Sequence, residues 1–366
     1  MTRTVKIGLD LPSQILVTGR EQAKKIVAAA PSGAASTNDR LVYFAAFDGT
    51  NNNLTTTGVA KNTNVAQLWT QFASGIGTTN PNRAGNYFPG PGTPGTLTRS
   101  AWHSPDVTQQ VIRTAADAYL DFATKASNWL TNNPGGSVTT VLTAFSRGAA
   151  AAAIFSQMLF EKGLIDPNSD VQEELIPPGQ VTVSAGVIFD AVATGVNGNL
   201  AFPPNVANIV NIRAQDEYRD FFKAVDYSAQ SCVTTVAMLG NHCDIGGGYD
   251  NGIAALTLQA ATTFLKNSGL PVASVSRSRR FAGVKSIAIH SEDVDDRDQP
   301  LWGVYPPGPE FLSSVVQDPS PRYADPDIEV TAATEVTSDA SAVQTFVLYD
   351  GRTITRTKPA GASPDA

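Results

Sequence analysis

Cysteine is scarce in this chain. Cys232 and Cys243 are the two in 366 residues. They cannot build a disulfide framework, and no C-x-x-C spacing offers a structural zinc site; two reduced thiols are expected. Histidine is nearly as rare: His103, His242 and His290 are the whole supply, so an imidazole base must be one of three. Charged residues make up 16%, and Lys+Arg 26 against Asp+Glu 33 leaves a net charge of -7. A field of that sign repels polyanions, so no nucleic-acid partner is expected. Arg277, Arg279 and Arg280 are the only close basic cluster. No apolar run approaches the ~18 residues of a membrane span. Residues 1–25 hold no continuous apolar stretch of the secretory type, so synthesis in the cytoplasm without a Sec signal is expected.

What is present is apolar sequence in short runs. Hydrophobic residues reach 42%, enough for a sizeable core in one large or two ordinary domains. Leu41–Phe47, Val138–Phe145, Val181–Phe189, Val206–Ile212, Val233–Leu239 and Val284–Ile289 are rich in β-branched residues and apolar on both faces. Such runs predict buried strands of a parallel sheet. Between them, Val65–Ala73, Val107–Trp129, Ala149–Lys162 and Ile253–Lys266 have helical character. The alternation predicts an α/β fold, a mostly parallel sheet with helices on both faces.

Residues 75–106 are rich in Gly, Pro and Asn and read as a long connection, either functional or a packed Ω-loop. Their Tyr87-Phe88 pair is a candidate substrate wall. After Ile289 the chain is Pro-rich and acidic. Asp350-Gly351 between alternating residues signals a hairpin, and the tail 358–366 has the composition of a disordered end.

The strongest chemical signal is Thr143-Ala144-Phe145-Ser146-Arg147-Gly148-Ala149. A predicted strand runs into Ser146 and an alanine-rich helix runs out of it. A nucleophile on such a sharp turn needs small residues two positions before and after, here Ala144 and Gly148. Ser146 could instead simply cap the helix. A serine nucleophile requires a base and a carboxylate that orients it. The order Ser, Asp, His allows Ser146–Asp190–His242 or Ser146–Asp244–His290. A base following the last strand favours His290, whereas Ser291, Glu292 and Asp293 beside it favour its imidazolium form. The turn Asp48-Gly49-Thr50 follows the first strong strand. Gly49 and Thr50 are candidate backbone oxyanion donors together with Arg147, the residue after the serine. Gly246-Gly247-Gly248 lacks the G-K-[ST] ending of a phosphate loop and reads as flexible backbone behind His242. Glu292–Asp298 could hold Ca²⁺, but its spacing matches no EF-hand, and a solvated acidic loop is the better reading. No other metal or cofactor is expected.

Six motifs occur in order: Asp48-Gly49-Thr50-Asn51, Tyr87–Thr93 (YFPGPGT), Phe145–Ala149 (FSRGA), Phe189–Val192 (FDAV), Arg213–Arg219 (RAQDEYR) and Gly240–Tyr249 (GNHCDIGGGY). Together they resemble the α/β-hydrolase family of type VI secretion lipase effectors, the Tle phospholipases and their uncharacterised relatives. The resemblance covers roughly 41–300. It implies a catalytic domain there, an N-terminal arm over 1–40 and a C-terminal extension over 301–366. It implies Ser146 as nucleophile, Asp190 as acid and His242 as base; Asp244 and His290, which chain order alone also allows, become the second choices. Ala144, Ala191 and Cys243 depart from the residues common in the family. The resemblance also implies a phospholipase A-like serine esterase acting at a lipid membrane. Delivery would run through a spike or adaptor of the type VI apparatus into the target-cell periplasm, with a cognate immunity protein. A housekeeping cytosolic esterase, or a binding protein on a hydrolase fold, are the alternatives.

Overall fold

The computed structural model describes residues 3–5, 11–31, 39–54, 63–74, 80–93, 105–217, 219, 222–248, 252–281, 289–291, 325–338 and 341–357. The first half of the chain forms β1 (Arg3–Val5), α1 (Leu11–Ala28), β2 (Arg40–Phe47), α2 (Asn64–Ala73), β3 (Arg83–Phe88), α3 (Pro105–Asn132), β4 (Ser137–Phe145) and α4 (Gly148–Lys162). There follow β5 (Leu164–Ile165), β6 (Glu174–Ile176), β7 (Thr182–Phe189), β8 (Ile209–Ala214), β9 (Val233–Met238), α5 (His242–Gly246) and α6 (Ile253–Asn267). The last elements are β10 (Ile289–Ser291), β11 (Thr334–Ser338), β12 (Ser341–Val347) and β13 (Thr353–Thr357).

Six strands pair in parallel in the order β3-β2-β4-β7-β8-β9. Strand β2 shows why the sheet needs cover on both sides. Its Leu41, Tyr43, Ala45 and Phe47 join one apolar cluster, with Phe122 of α3 and Phe155 of α4. Its Val42, Phe44 and Ala46 join another, with Phe72 of α2, Ile26 of α1 and Phe264 of α6. Successive side chains point to opposite faces, so a strand apolar at every position must be sandwiched. Ala149–Ala153 at the start of α4 are all buried, and their small side chains let that helix lie close on the sheet. Helix α1 packs on α6 and β9. Its Gln22 accepts from Leu239 N–H at 3.0 Å and donates to Gln215 at 3.0 Å.

One expectation needs correction. The stretch 75–106 is not one long connection: Arg83–Phe88 form β3, the edge strand beside β2. The run Val284–Ile289 is described only at Ile289. Residues 282–288 lie outside the described residues, and Ile289–Ser291 pair antiparallel with β1, apart from the six-stranded sheet. Among the described residues the last strand of that sheet in sequence is β9, shortly before His242. Strands β11, β12 and β13 form a separate antiparallel sheet, with Asp350-Gly351 at the turn between β12 and β13. Phe346 and Leu348 seat it on Phe160 and Ala201.

Candidate active site

From β2 the sheet grows in two directions, first to β3 and then through β4 to β9. The reversal lies between β2 and β4. In open parallel sheets, ligands bind outside the carboxyl ends of strands at such a switch point. The residues standing there are Asp48-Gly49-Thr50 after β2 and Ser146 after β4.

Ser146 has φ 54°, the left-handed region that non-glycine residues rarely adopt. Its N–H donates to Phe189 O at 3.1 Å, which ties the turn to the end of β7. A Cβ at Gly148 would lie 2.5 Å from Phe47 O and 2.7 Å from Asp48 O, so only glycine fits two residues after the serine. Ser146 is 4% exposed, and its turn stands directly against Gly49, whose added Cβ would come 3.1 Å from Ser146 Cβ.

Asp190 directly follows β7, with φ 42°, and is fully buried. Its Oδ1 accepts from Ala214 N–H at 2.8 Å, and its Oδ2 lies 2.6 Å from His242 Nδ1. With the carboxylate ionised, Nδ1 carries the proton and Nε2 is the nitrogen able to take one from a hydroxyl. The imidazole is held in turn. Its ring packs on Phe145 with centroids 4.5 Å apart and meets Phe222 edge-on at 4.9 Å. His242 N–H donates to Glu217 Oε2 at 3.2 Å. Glu217 is itself gripped by Arg219, whose Nε and Nη2 lie 2.8 and 2.7 Å from its two oxygens. Sequence reasoning passed over Glu217 and Phe222 as supports for the histidine; Glu217 stands within the RAQDEYR motif.

The second-choice residues stand on separate elements, α5 and β10. Asp244 completes a capping box at α5: its carboxylate accepts from Asn241 N–H at 3.1 Å, and Asn241 Oδ1 accepts from Asp244 N–H at 2.9 Å. His290 stands on β10, opposite Thr4. His103, Glu292–Asp298 and Tyr249 lie outside the described residues. Of the three glycines after His242, Gly246 and Gly247 are tightly packed. A Cβ at Gly246 would lie 2.0 Å from the Phe145 ring, and one at Gly247 (φ 90°) would lie 2.6 Å from Asn64 N.

Of the oxyanion candidates, Gly49 has its N–H committed to Asp48 Oδ1 at 2.7 Å. Thr50 is the donor that remains on that turn. Arg147 reaches across it, with Nη1 3.1 Å from Thr50 Oγ1 and Nε 2.8 Å from Thr194 O. Burial lowers the guanidinium to about 10, still charged at neutral pH. Tyr87 and Phe88, the candidate substrate wall, both have partners within the protein. Phe88 stacks on Phe47 at 5.2 Å, and Tyr87 OH donates to Asp48 Oδ2 at 2.6 Å. Burial raises the Asp48 carboxyl to about 6, against the lowering effect of its bonds from Thr63, Tyr87 and Gly49.

Sheet order, the turn at Ser146 and an acid–histidine pair at the carboxyl ends of β7 and β9 make this an α/β-hydrolase-like fold. No family model and no curated protein matches the chain. Similar solved structures include an uncharacterized protein from Pseudomonas aeruginosa, at 16% identity and TM-score 0.45, over 73% of this chain and 50% of that one. The Tle1 effector bound to the VgrG spike of the type 6 secretion system is similar at 19% identity and TM-score 0.43, over 60% of this chain and 53% of that one. Thermogutta terrifontis esterase 2 is similar at 15% identity and TM-score 0.32, over 67% and 89%. The chain thus spans about half the length of the first two.

Proposed function

We propose that this protein is a serine ester hydrolase acting on acyl esters of lipids, with phospholipid as substrate. The observation that carries the chemistry is the 2.6 Å pairing of Asp190 Oδ2 with His242 Nδ1, at the strand ends beside the left-handed turn of Ser146. In this reading Ser146 Oγ attacks the ester carbonyl carbon while His242 Nε2 takes its proton. The tetrahedral intermediate places its negative oxygen on the backbone N–H groups of Thr50 and Arg147. The intermediate collapses, the ester C–O bond breaks, and His242 returns the proton to the leaving alcohol. Water then repeats the sequence on the acyl-serine, releasing the fatty acid and restoring the Ser146 hydroxyl. Asp190 keeps the imidazole in the tautomer that works and faces the imidazolium formed in each half-reaction.

The lipid substrate rests on the order of six motifs rather than on the geometry. So does the role of an antibacterial effector carried by a type VI spike or adaptor into a target-cell periplasm, with an immunity protein in the producing cell. Among the described residues no helix is long and apolar enough to cross a membrane. The test is product analysis on phospholipid vesicles with wild type and Ser146→Ala. Free fatty acid and lysophospholipid in equal amounts, from wild type alone, are expected. Hydrolysis of p-nitrophenyl butyrate with no fatty acid released from vesicles would replace the lipase by a soluble-ester esterase.

A further inference from the structure

Asp48 is a carboxylate with 2% exposure and three close donors. Tyr87 OH and Thr63 Oγ1 each donate to Oδ2 at 2.6 Å, and Gly49 N–H donates to Oδ1 at 2.7 Å. The three donors come from the edge strand β3, from the N-cap of α2, and from the turn itself. A buried carboxylate costs stability unless its hydrogen bonds are excellent. A neutral side chain of similar shape would fill the same space without that penalty, so the position calls for another explanation.

The surroundings supply one. Thr63 Oγ1 also accepts from Ala66 N–H at 3.1 Å and so starts α2. The backbone of Thr63 bridges Gly247, and Asn64 Nδ2 donates to Ile245 O at 2.9 Å. Through these two residues the Asp48 turn is joined to α5, which begins at His242. On the other side, Gly90 packs so closely that a Cβ there would lie 1.6 Å from Gly49 O. Asn51 N–H donates to Pro91 O at 2.9 Å, and Gly90 N–H to Asn52 O at 3.0 Å. The Pro-Gly-Pro-Gly segment is thereby laced to the turn by backbone.

We propose that Asp48, clamped by Tyr87 and Thr63, is the positioning residue of the oxyanion turn, and that the Tyr87–Thr93 segment exists to brace this turn against the Ser146 elbow. The proposal rests on the reading of Ser146 as nucleophile. Asp48 meets no reacting atom; it acts through Gly49, whose N–H it fixes, and so through the aim of the Thr50 N–H. Donors that stabilise an oxyanion work because they are fixed before charge develops. An Asp-Gly-Thr-Asn turn without its brace would have to be ordered during each turnover. The loss would fall on kcat, because the oxyanion forms only on the way to the transition state.

The test is steady-state kinetics on p-nitrophenyl butyrate with wild type, Ser146→Ala, Tyr87→Phe, Asp48→Asn, Asp48→Ala and the control Tyr43→Phe. Tyr43 OH also donates to a carboxylate, Asp121 Oδ2, at 2.6 Å, but five residues earlier in β2, away from the turn. Tyr87→Phe should lose roughly 10-fold in kcat, and Asp48→Ala roughly 100-fold, with KM within about 3-fold, since removing an oxyanion donor outright costs ~10²–10³. Asp48→Asn should recover part of the loss, because an amide oxygen can still accept from Gly49 N–H. Tyr43→Phe should lower the melting temperature while keeping kcat. A folded Tyr87→Phe as active as Tyr43→Phe overturns the proposal, even if Asp48→Ala fails to fold. If Ser146→Ala is as active as wild type, the nucleophile reading itself falls. Should wild type turn over too slowly to measure, the rate of fluorophosphonate attachment to Ser146 replaces kcat with the same expected order.

Discussion

A Cβ on Gly246 would lie 2.0 Å from the ring of Phe145, the residue before Ser146 in sequence and the ring on which His242 rests. The opposite edge of Phe145 lies against Gly49, where an added Cβ would come 2.8 Å from it. One ring therefore sets the spacing of the serine elbow, the oxyanion turn and the histidine helix. Gly246→Ala should overpack this contact, destabilising by about 1–3 kcal/mol, and lower esterase activity by pushing α5 outward. Adding Phe145→Leu should return part of the stability. Thermal melts of the single and double variants check this; additive losses would show that the two positions are not in contact.

The acid and the base are separable by two pairs of variants. Asp190→Asn leaves the volume unchanged but offers His242 Nδ1 an amide, which allows the wrong tautomer; a loss near ~10⁴ in kcat is expected. Asp244→Asn alters one partner in the capping box of α5 and should cost on the order of 1 kcal/mol of stability with most of the activity kept. His242→Ala should match Ser146→Ala, and His290→Ala should stay active. Rates on a soluble ester decide between the pairs.

The elements that fix the site were legible because their sequence is extreme. Strands β2, β4 and β7 are apolar on both faces, and the small residues around Ser146 are forced by backbone contacts such as Gly148 against Phe47 O. Less of the periphery was readable. Strand β3, RAGNYF, is an edge strand with only two buried positions of six, so it carries no continuous apolar signal. Helix α1 contains Pro12 and Gly19, which obscure its periodicity. The run before His290 had the composition of a core strand, yet its described end pairs only with β1. Among the described residues the strand of the six-stranded sheet that comes last in sequence is β9, and the histidine that follows it is His242. The supports of the site were the least visible: Glu217, Thr63 and Tyr87 act by contacts 25, 15 and 39 residues apart in sequence, and no local pattern announces them.

The Asp48 carboxyl also predicts a pH dependence of stability. Burial raises it from 3.8 to about 6, so between these values the folded protein holds a proton there that the unfolded chain releases. Its contribution to stability is fully present below pH 3.8 and is lost as pH rises through about 6. The groups facing it are Tyr87, Thr63 and Gly49 N–H, with the Arg147 guanidinium on Thr50 nearby. Asp48→Asn cannot titrate. Its stability relative to wild type should therefore rise from pH 4.5 to pH 7.5, by on the order of 2 kcal/mol. Urea unfolding at the two values measures the difference, and parallel pH profiles would contradict it.

Helix α1 is predicted to matter for the histidine loop. Gln22 is the acceptor for Leu239 N–H, three residues before His242. Gln22→Ala strands a buried donor, and a loss of about 1–3 kcal/mol is expected. Hydrogen exchange at Leu239 should accelerate in the variant; unchanged protection there would mean that α1 does not anchor this loop.

The central claim is that Ser146 is an activated nucleophile with His242 as its base. The most direct measurement is fluorophosphonate treatment of the folded protein, followed by intact-mass and peptide mass spectrometry. The account predicts one adduct, on Ser146, absent in Ser146→Ala and formed far more slowly in His242→Ala and Asp190→Asn. A folded wild-type protein that takes up no label, or an adduct that persists in Ser146→Ala, would contradict it.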